Sequence, residues 1–157
     1  MTRRRLVLPS LGLSVVALAA CGKGPSGPSL ARSFLEGTWT GTLTIERPGE
    51  PASAGAVTWT FHIVDGTNQQ TFRVAIRSEH AWLPITATVT SAITPSNQPP
   101  ARMSTQGEYP SPRGCMGTLL SVGNADVRTI EADFSGVDCS TLTNSTFTGR
   151  VTLTKAG

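Results

Sequence analysis

Thr38-Trp39-Thr40-Gly41-Thr42-Leu43-Thr44-Ile45 places a threonine at every even position and an apolar residue or glycine at every odd position. Side chains along an extended chain point alternately to opposite faces, so this period of two gives one apolar face and one hydroxylated face. Such alternation is typical of an antiparallel strand that packs one face on a core. The stretch therefore predicts a strand whose odd-numbered face is buried.

The same alternation recurs along the rest of the chain. It is clear in residues 57–63, 72–77, 83–90, 130–134 and 147–154, and weaker in residues 116–122. No window has the 3.6-residue period of an amphipathic helix. The sequence thus predicts seven antiparallel strands, with an eighth possible at residues 102–109.

Seven or eight sequential strands need both sheet edges covered, and closure into a barrel removes the edges altogether. The first and last stretches each carry an inward-facing glycine, Gly41 and Gly149, where the absence of a side chain permits the sharp bend of a small barrel. Asp65-Gly66 and Gly123-Asn124 predict tight hairpin turns. We expect an all-β domain, a small antiparallel up-and-down β-barrel of seven or eight strands. A two-sheet β-sandwich is the alternative.

Gly37-Thr38-Trp39, at the start of the first stretch, resembles the Gly-x-Trp motif that opens lipocalins and the related calycin barrels, avidins included. In that group the tryptophan plugs the closed end of the barrel and an arginine of the last strand lies over it. Arg150 is the only arginine here that could take that place. The resemblance implies a lipocalin-like barrel and does not specify a ligand.

The amino-terminal segment has the pattern of an export signal. Arg3-Arg4-Arg5 is followed by an apolar run, residues 6–20, that is shorter than the roughly 20 residues a membrane helix needs. The run ends in Leu18-Ala19-Ala20-Cys21, which resembles the lipobox of bacterial lipoproteins. An ordinary secretory signal is the alternative.

The lipobox resemblance implies that residues 1–20 are removed and that Cys21 carries lipid, palmitate among the usual acyl groups. It implies export across the inner membrane and attachment to a membrane of the cell envelope. Gly22 stands where some lipoproteins carry an inner-membrane retention aspartate, which favours the outer membrane if the source has one. Residues 21–33 then form the lipidated cysteine and a flexible Gly/Pro/Ser tether, and residues 34–157 form the β-barrel domain.

The remaining composition narrows the functions to consider. Three of the 13 lysine and arginine residues lie in the signal, which leaves ten against ten Asp and Glu. A formally neutral mature chain lacks the positive charge that binds nucleic acid, so we expect no nucleic-acid partner. Cys115 and Cys139 predict one disulfide in an exported domain, worth about 3.5 kcal/mol in the chain-entropy model. A metal pair or two free thiols are the alternatives, although the spacing matches no zinc pattern.

An enzyme would need titratable side chains that converge on one point. His62 falls on an outward strand face and His80 in a turn, and both are expected to be solvated. Glu131 and Asp133 share one strand face and are also expected to face water. The sequence has no catalytic, cofactor or metal motif that we recognise, and we expect no enzyme, no cofactor and no metal.

Large aromatic side chains could line a ligand cavity or fill the core: Trp39, Trp59, Phe61, Phe72 and Trp82. An eight-stranded barrel is wide enough for packed side chains or one small ligand, and this many large residues favours packing. Two predicted loops, residues 46–56 and the proline-rich 92–114, could present side chains to a partner. We therefore expect an envelope lipoprotein that acts as a non-enzymatic binding module for an envelope protein or the cell wall. The alternative is a calycin-like carrier of a small apolar ligand.

Overall fold

The computed structural model describes residues 33–65, 70–95, 98–139 and 145–157. The predicted signal, the lipobox, Cys21 and the tether up to residue 32 lie outside the described residues, as does Gly66 of one predicted turn. Within the described ranges, no helix is long and apolar enough to cross a lipid bilayer.

Eight antiparallel strands close into one barrel in which each strand pairs with the next and the last pairs with the first. They are β1 (Gly37–Glu46), β2 (Ser53–Ile63), β3 (Thr71–Ser78), β4 (Thr86–Thr94), β5 (Ala101–Pro110), β6 (Met116–Ala125), β7 (Thr129–Asp138) and β8 (Ser145–Lys155). The predicted all-β up-and-down barrel is confirmed, and the two-sheet sandwich is excluded.

The alternation in sequence decides which face of each strand is buried. On β1, Trp39, Leu43 and Ile45 are buried, whereas Thr40 and Thr42 are exposed. The other strands follow the same rule, and the inward side chains form a single apolar cluster inside the barrel. The core is therefore the barrel interior itself.

Glycine is required where the first strand meets the last. A Cβ atom at Gly41 would overlap the carbonyl oxygen of Thr152, and one at Gly149 would overlap that of Thr44. The two backbones approach too closely for any side chain, so the two inward glycines permit the β1–β8 contact that closes the barrel.

The possible eighth strand at residues 102–109 is present in the structure, so the predicted loop 92–114 is shorter than expected. Residues 102–109 belong to β5, so the predicted loop 92–114 is reduced to connections at residues 95–100 and 111–115. The inward positions of β5 include Ala101, Thr105 and Gly107. These residues are small or hydroxylated, and the apolar period is therefore weak in the sequence.

Two local predictions were wrong. Gly123-Asn124 was predicted as a turn, but both residues lie within β6 and the chain reverses at residues 126–128. Gly123 lacks a side chain because the carbonyl of Glu131 on β7 occupies that space. Residues 83–85 were predicted to begin a strand, yet they belong to the β3–β4 connection and only their burial follows the alternation.

The end of the barrel at which β1 begins, here called the Trp39 end, is covered by residues 33–36. Leu35 is fully buried, and its carbonyl accepts a hydrogen bond of 2.8 Å from the indole nitrogen of Trp39. The ammonium of Lys155 donates to the Phe34 carbonyl and lies 5.4 Å from the centre of the Trp39 ring. A basic residue of the last strand does cover the tryptophan, but it is lysine.

Arg150, the only arginine that could take the place over Trp39, does not lie there. Arg150 occupies an outward position of β8, where its side chain is 68% exposed and lies 3.7 Å from the Asp133 carboxylate. Strand parity directs it away from the barrel interior.

The opposite end, here called the rim, includes the connections β1–β2, β3–β4 and β5–β6 and the described residues at which β7 ends and β8 begins. The β3–β4 connection folds over this end and buries Leu83 and Ile85 completely. Cys115 and Cys139 lie at disulfide distance here, with Cα atoms 6.0 Å apart, and link the start of β6 to the end of β7. Both ends of the barrel are therefore covered by the chain's own residues.

Candidate functional site

Four of the five predicted aromatic residues lie in the barrel core. Trp39, Trp59, Phe61 and Phe72 have no exposed surface. The centre of the Phe61 ring lies 6.4, 6.0 and 6.0 Å from those of Trp39, Trp59 and Phe72, distances typical of aromatic packing. These side chains come from β1, β2 and β3 and fill that half of the interior.

The facing wall of the interior carries one row of small hydroxylated side chains among larger apolar ones. Ser91, Thr105 and Ser121 are direct neighbours on β4, β5 and β6, and all three are completely buried. The Thr105 hydroxyl donates to Ser91 Oγ over 2.9 Å, whereas Ser121 Oγ and Trp59 Nε1 have no partner among the described residues. These three residues form a buried polar row beside the apolar cluster of the interior.

Trp82, the fifth predicted aromatic residue, lies half-buried at the rim. Its ring packs edge-on against Phe147 with centres 5.7 Å apart, and Phe147 stacks on Phe134. The guanidinium carbon of Arg47 lies 4.0 Å from the centre of the Trp82 ring, and that of Arg113 lies 5.8 Å away. Trp82 is therefore the centre of a cation–π cluster that joins three connections.

The buried carboxylate of Asp138 contacts this cluster through Arg113. The Tyr109 hydroxyl donates to Asp138 Oδ1 over 3.1 Å, and Arg113 Nε lies 3.6 Å from Asp138 Oδ2. Burial and the neighbouring Asp138 carboxylate raise the pKa of Tyr109 above its ordinary value. Desolvation, together with repulsion from Arg113, lowers the pKa of Arg47. We call Arg47, Trp82, Tyr109, Arg113 and Asp138 the rim cluster.

The raised pKa of Tyr109 predicts a loss of stability in alkali. Tyr109 is the only tyrosine of the chain, so its phenolate absorbance can be followed directly. In the unfolded chain its pKa is about 10, and the folded protein holds the proton more tightly. The contribution of Tyr109 to the free energy of unfolding should therefore be fully present below about pH 10. It should fall as the pH rises above that value, because only the unfolded state then releases the proton. Thermal unfolding midpoints across that range measure the effect.

Tyr109→Phe is the matched control because it removes only the phenolic group. Above about pH 10, the thermal unfolding midpoint of this variant should fall less steeply with pH than that of the wild type. A folded wild-type protein whose phenolate forms at the ordinary tyrosine pKa would contradict this prediction.

The expectation that His80 is solvated was wrong, since it is 1% exposed. Its Nδ1 accepts the backbone N–H groups of Trp82 and Leu83 at 3.2 and 3.3 Å. Nε2 therefore carries the ring proton and faces Ser53, whose hydroxyl and carbonyl oxygens lie 2.9 and 3.1 Å away. His80 fastens the β3–β4 connection to the start of β2, and so holds Trp82 in place.

The other titratable groups considered in the sequence lie apart from the rim cluster. His62 is exposed on the outer face of β2. Glu131 and Asp133 are exposed on β7, as expected, and Asp133 pairs with Arg150. The structure does not bring His62 together with the carboxylate pair, because β2 and β7 are not neighbours in the barrel.

Two adjoining depressions cross the outer face of β1 to β5. Their volumes are about 560 and 240 Å³, and both are lined by Thr58 and Arg77. A row of outward residues runs through them at right angles to the strands: Thr40, Thr58, Arg77 and Thr86, each registered with the next. We call the two depressions together the outer groove.

Sequence reasoning missed the rim cluster and the outer groove for different reasons. The rim cluster was missed because Tyr109 and Asp138 are separated by 29 positions in the sequence. Asp138 directly precedes Cys139, and the predicted disulfide could have placed its carboxylate near the start of β6. The outer groove depends on strand register, which alternation alone does not specify.

No family model, curated protein or solved structure matches the chain at a significant level.

Proposed function

We propose that this chain is a membrane-anchored envelope lipoprotein whose barrel acts as a non-enzymatic binding module. The lipobox-like Leu18-Ala19-Ala20-Cys21 supports the anchor. The observation that carries the binding role is the packed barrel interior, which is covered at the Trp39 end by residues 33–36 and at the rim by Leu83 and Ile85. With the interior occupied by side chains, the outer face and the rim are the surfaces left for a partner.

The position of residue 33 supports a defined orientation of the barrel. Residues 33–36 lie at the Trp39 end, so a tether from Cys21 would reach the domain there. The rim would then face away from the membrane to which the chain is attached. At the rim, the disulfide links the start of β6 to the end of β7, and Asp138 binds Tyr109 and Arg113, so these residues are tied to the barrel and lose less entropy on binding.

The alternative function, a calycin-like carrier of a small apolar ligand, has less support. Such a carrier needs an interior volume of several hundred cubic ångströms. Here the centre of the barrel is occupied by Trp59, Phe61 and Phe72, which are fully buried and contact one another through their rings.

The anchor is tested by membrane fractionation of the full chain and of Cys21→Ser. We expect the wild type in the membrane fraction and the variant in the soluble exported fraction, because one cysteine carries all of the acyl chains. A Cys21→Ser chain that remains membrane-bound would contradict the anchor.

The packed interior is tested by native mass spectrometry of the exported Cys21→Ser chain before and after denaturation. We expect no small mass to be released on denaturation. Release of a stoichiometric small molecule would contradict the binding-module proposal and favour the carrier.

A further inference from the structure

The outer groove has the shape of a track for an extended polymer. Its two parts meet at Thr58 and Arg77 and together cross five neighbouring strands. Paired strands lie about 4.8 Å apart, so the registered row from Thr40 on β1 to Thr86 on β4 is about 14 Å long, and Glu108 and Pro110 of β5 line the groove beyond it. That length suits about three units of an extended chain.

The spacing of side chains along the groove matches a glycan. Each outward residue in the row from Thr40 to Thr86 is about 4.8 Å from the next, which is close to the length of one hexopyranose ring in an extended polysaccharide. A threonine hydroxyl both donates and accepts hydrogen bonds, as sugar hydroxyls do. Thr60 and Thr88 line the same groove beside this row.

The charges along the groove add a preference for acidic sugars. Arg77 lies in the middle of the row with its side chain 75% exposed, and the Glu79 carboxylate is 3.9 Å away. This long, exposed pair is weak, so the guanidinium is available to a ligand carboxylate, whose two oxygens match its fork of donors. Glu108 at the far side can accept hydrogen bonds from sugar hydroxyls.

The lining of the outer groove does not suit a protein partner. The described residues that line it include no aromatic, leucine or methionine side chain, and Ile76 in its wall is 2% exposed. Protein interfaces usually depend on large side chains that insert into pockets of the partner. A hydroxyl-rich surface of this kind favours a hydroxyl-rich partner.

We propose that the outer groove binds a carboxylate-bearing glycan strand of the cell wall. The threonine hydroxyls bind sugar hydroxyls along the strand, and Arg77 binds a carboxylate of the glycan. This proposal rests on the envelope location proposed above, because that location would bring the protein to a cell-wall glycan. The chemistry of the groove does not depend on the lipid anchor.

The test is co-sedimentation of the full chain, extracted in detergent, with insoluble peptidoglycan. We expect the wild type to sediment and Arg77→Ala to bind about tenfold more weakly, since a charge-assisted contact is lost. The double variant Thr58→Val, Thr86→Val should bind several-fold more weakly, because valine keeps the strand and removes the hydroxyls. Arg102→Ala and Thr118→Val are matched controls on exposed positions outside the groove and should bind as the wild type does.

Three results would overturn the proposal: no sedimentation of the wild type, an unchanged Arg77→Ala variant, or equal losses in the control variants. Soluble glycan fragments with free carboxylates should displace the protein better than uncharged chitin fragments, and equal displacement would refute the role of Arg77. The Cys21→Ser chain separates the two proposals. If that chain stays at the membrane yet sediments with peptidoglycan, the anchor fails and the groove assignment stands.

Discussion

Gly41→Ala should prevent the barrel from closing and cost at least about 4 kcal/mol of the free energy of unfolding, which is at the upper end for a single substitution. The added methyl group would overlap the carbonyl oxygen of Thr152 and lie 2.9 Å from the Cα atom of Leu153. Both are backbone atoms of β8, so the contact can be relieved only by separating β1 from β8. That separation exposes two unpaired strand edges. Urea unfolding followed by far-ultraviolet circular dichroism measures the loss.

Two control substitutions separate the steric overlap of an added Cβ atom from the cost of placing alanine at a positive φ. Gly149→Ala should behave like Gly41→Ala, because its methyl group would overlap the carbonyl oxygen of Thr44 on the same pair of strands. Gly49 has φ of 80° and no atom within 4 Å of an added Cβ. Gly49→Ala should therefore cost only the roughly 1–2 kcal/mol of a left-handed alanine. A Gly41→Ala protein at least as stable as Gly49→Ala would refute the steric argument.

The buried face of most strands could be predicted from the sequence because large apolar residues alternate with threonine. β1, with Trp39, Leu43 and Ile45 inward, is the clearest case. β5 was less certain because its inward positions include Ala101, Thr105 and Gly107 as well as Met103 and Tyr109, so large apolar residues do not alternate along it. Gly107 is needed because a Cβ atom there would overlap the side chain of Val89 on β4, and this contact depends on how two strands pack rather than on the local sequence.

The sites were harder to predict than the fold because they combine residues from non-consecutive segments. Arg47, Trp82 and Arg113 come from three connections that are far apart in the sequence and meet at the rim of the folded barrel. The same holds at the Trp39 end, where a basic residue of the last strand was expected. Lys155 reaches the ring because it lies near the end of β8 that pairs with the start of β1, whereas Arg150 lies on the outward face.

Trp59→Ala should cost about 3–5 kcal/mol and open a cavity in the middle of the barrel. Trp59 has no exposed surface and its ring centre lies 6.0 Å from that of Phe61, with the two rings tilted by 43°, so its removal leaves a space that the stiff strands cannot refill. An apolar cavity of this kind stays dry and takes up small apolar molecules. Urea unfolding measures the loss, and a small aromatic probe that binds the variant and not the wild type measures the cavity.

Trp59→Phe is the control that separates filling from hydrogen bonding. Its ring still fills most of the space, and it removes the Nε1 donor that has no partner among the described residues. It should therefore lose much less stability than Trp59→Ala and bind no probe, because removal of an unpaired buried donor offsets part of the lost packing. If Trp59→Ala binds the probe and the wild type does not, the barrel has the dimensions of a carrier and its own side chain excludes the ligand. Probe binding by the wild type would instead mean that the interior is accessible, and the function would have to be sought inside the barrel.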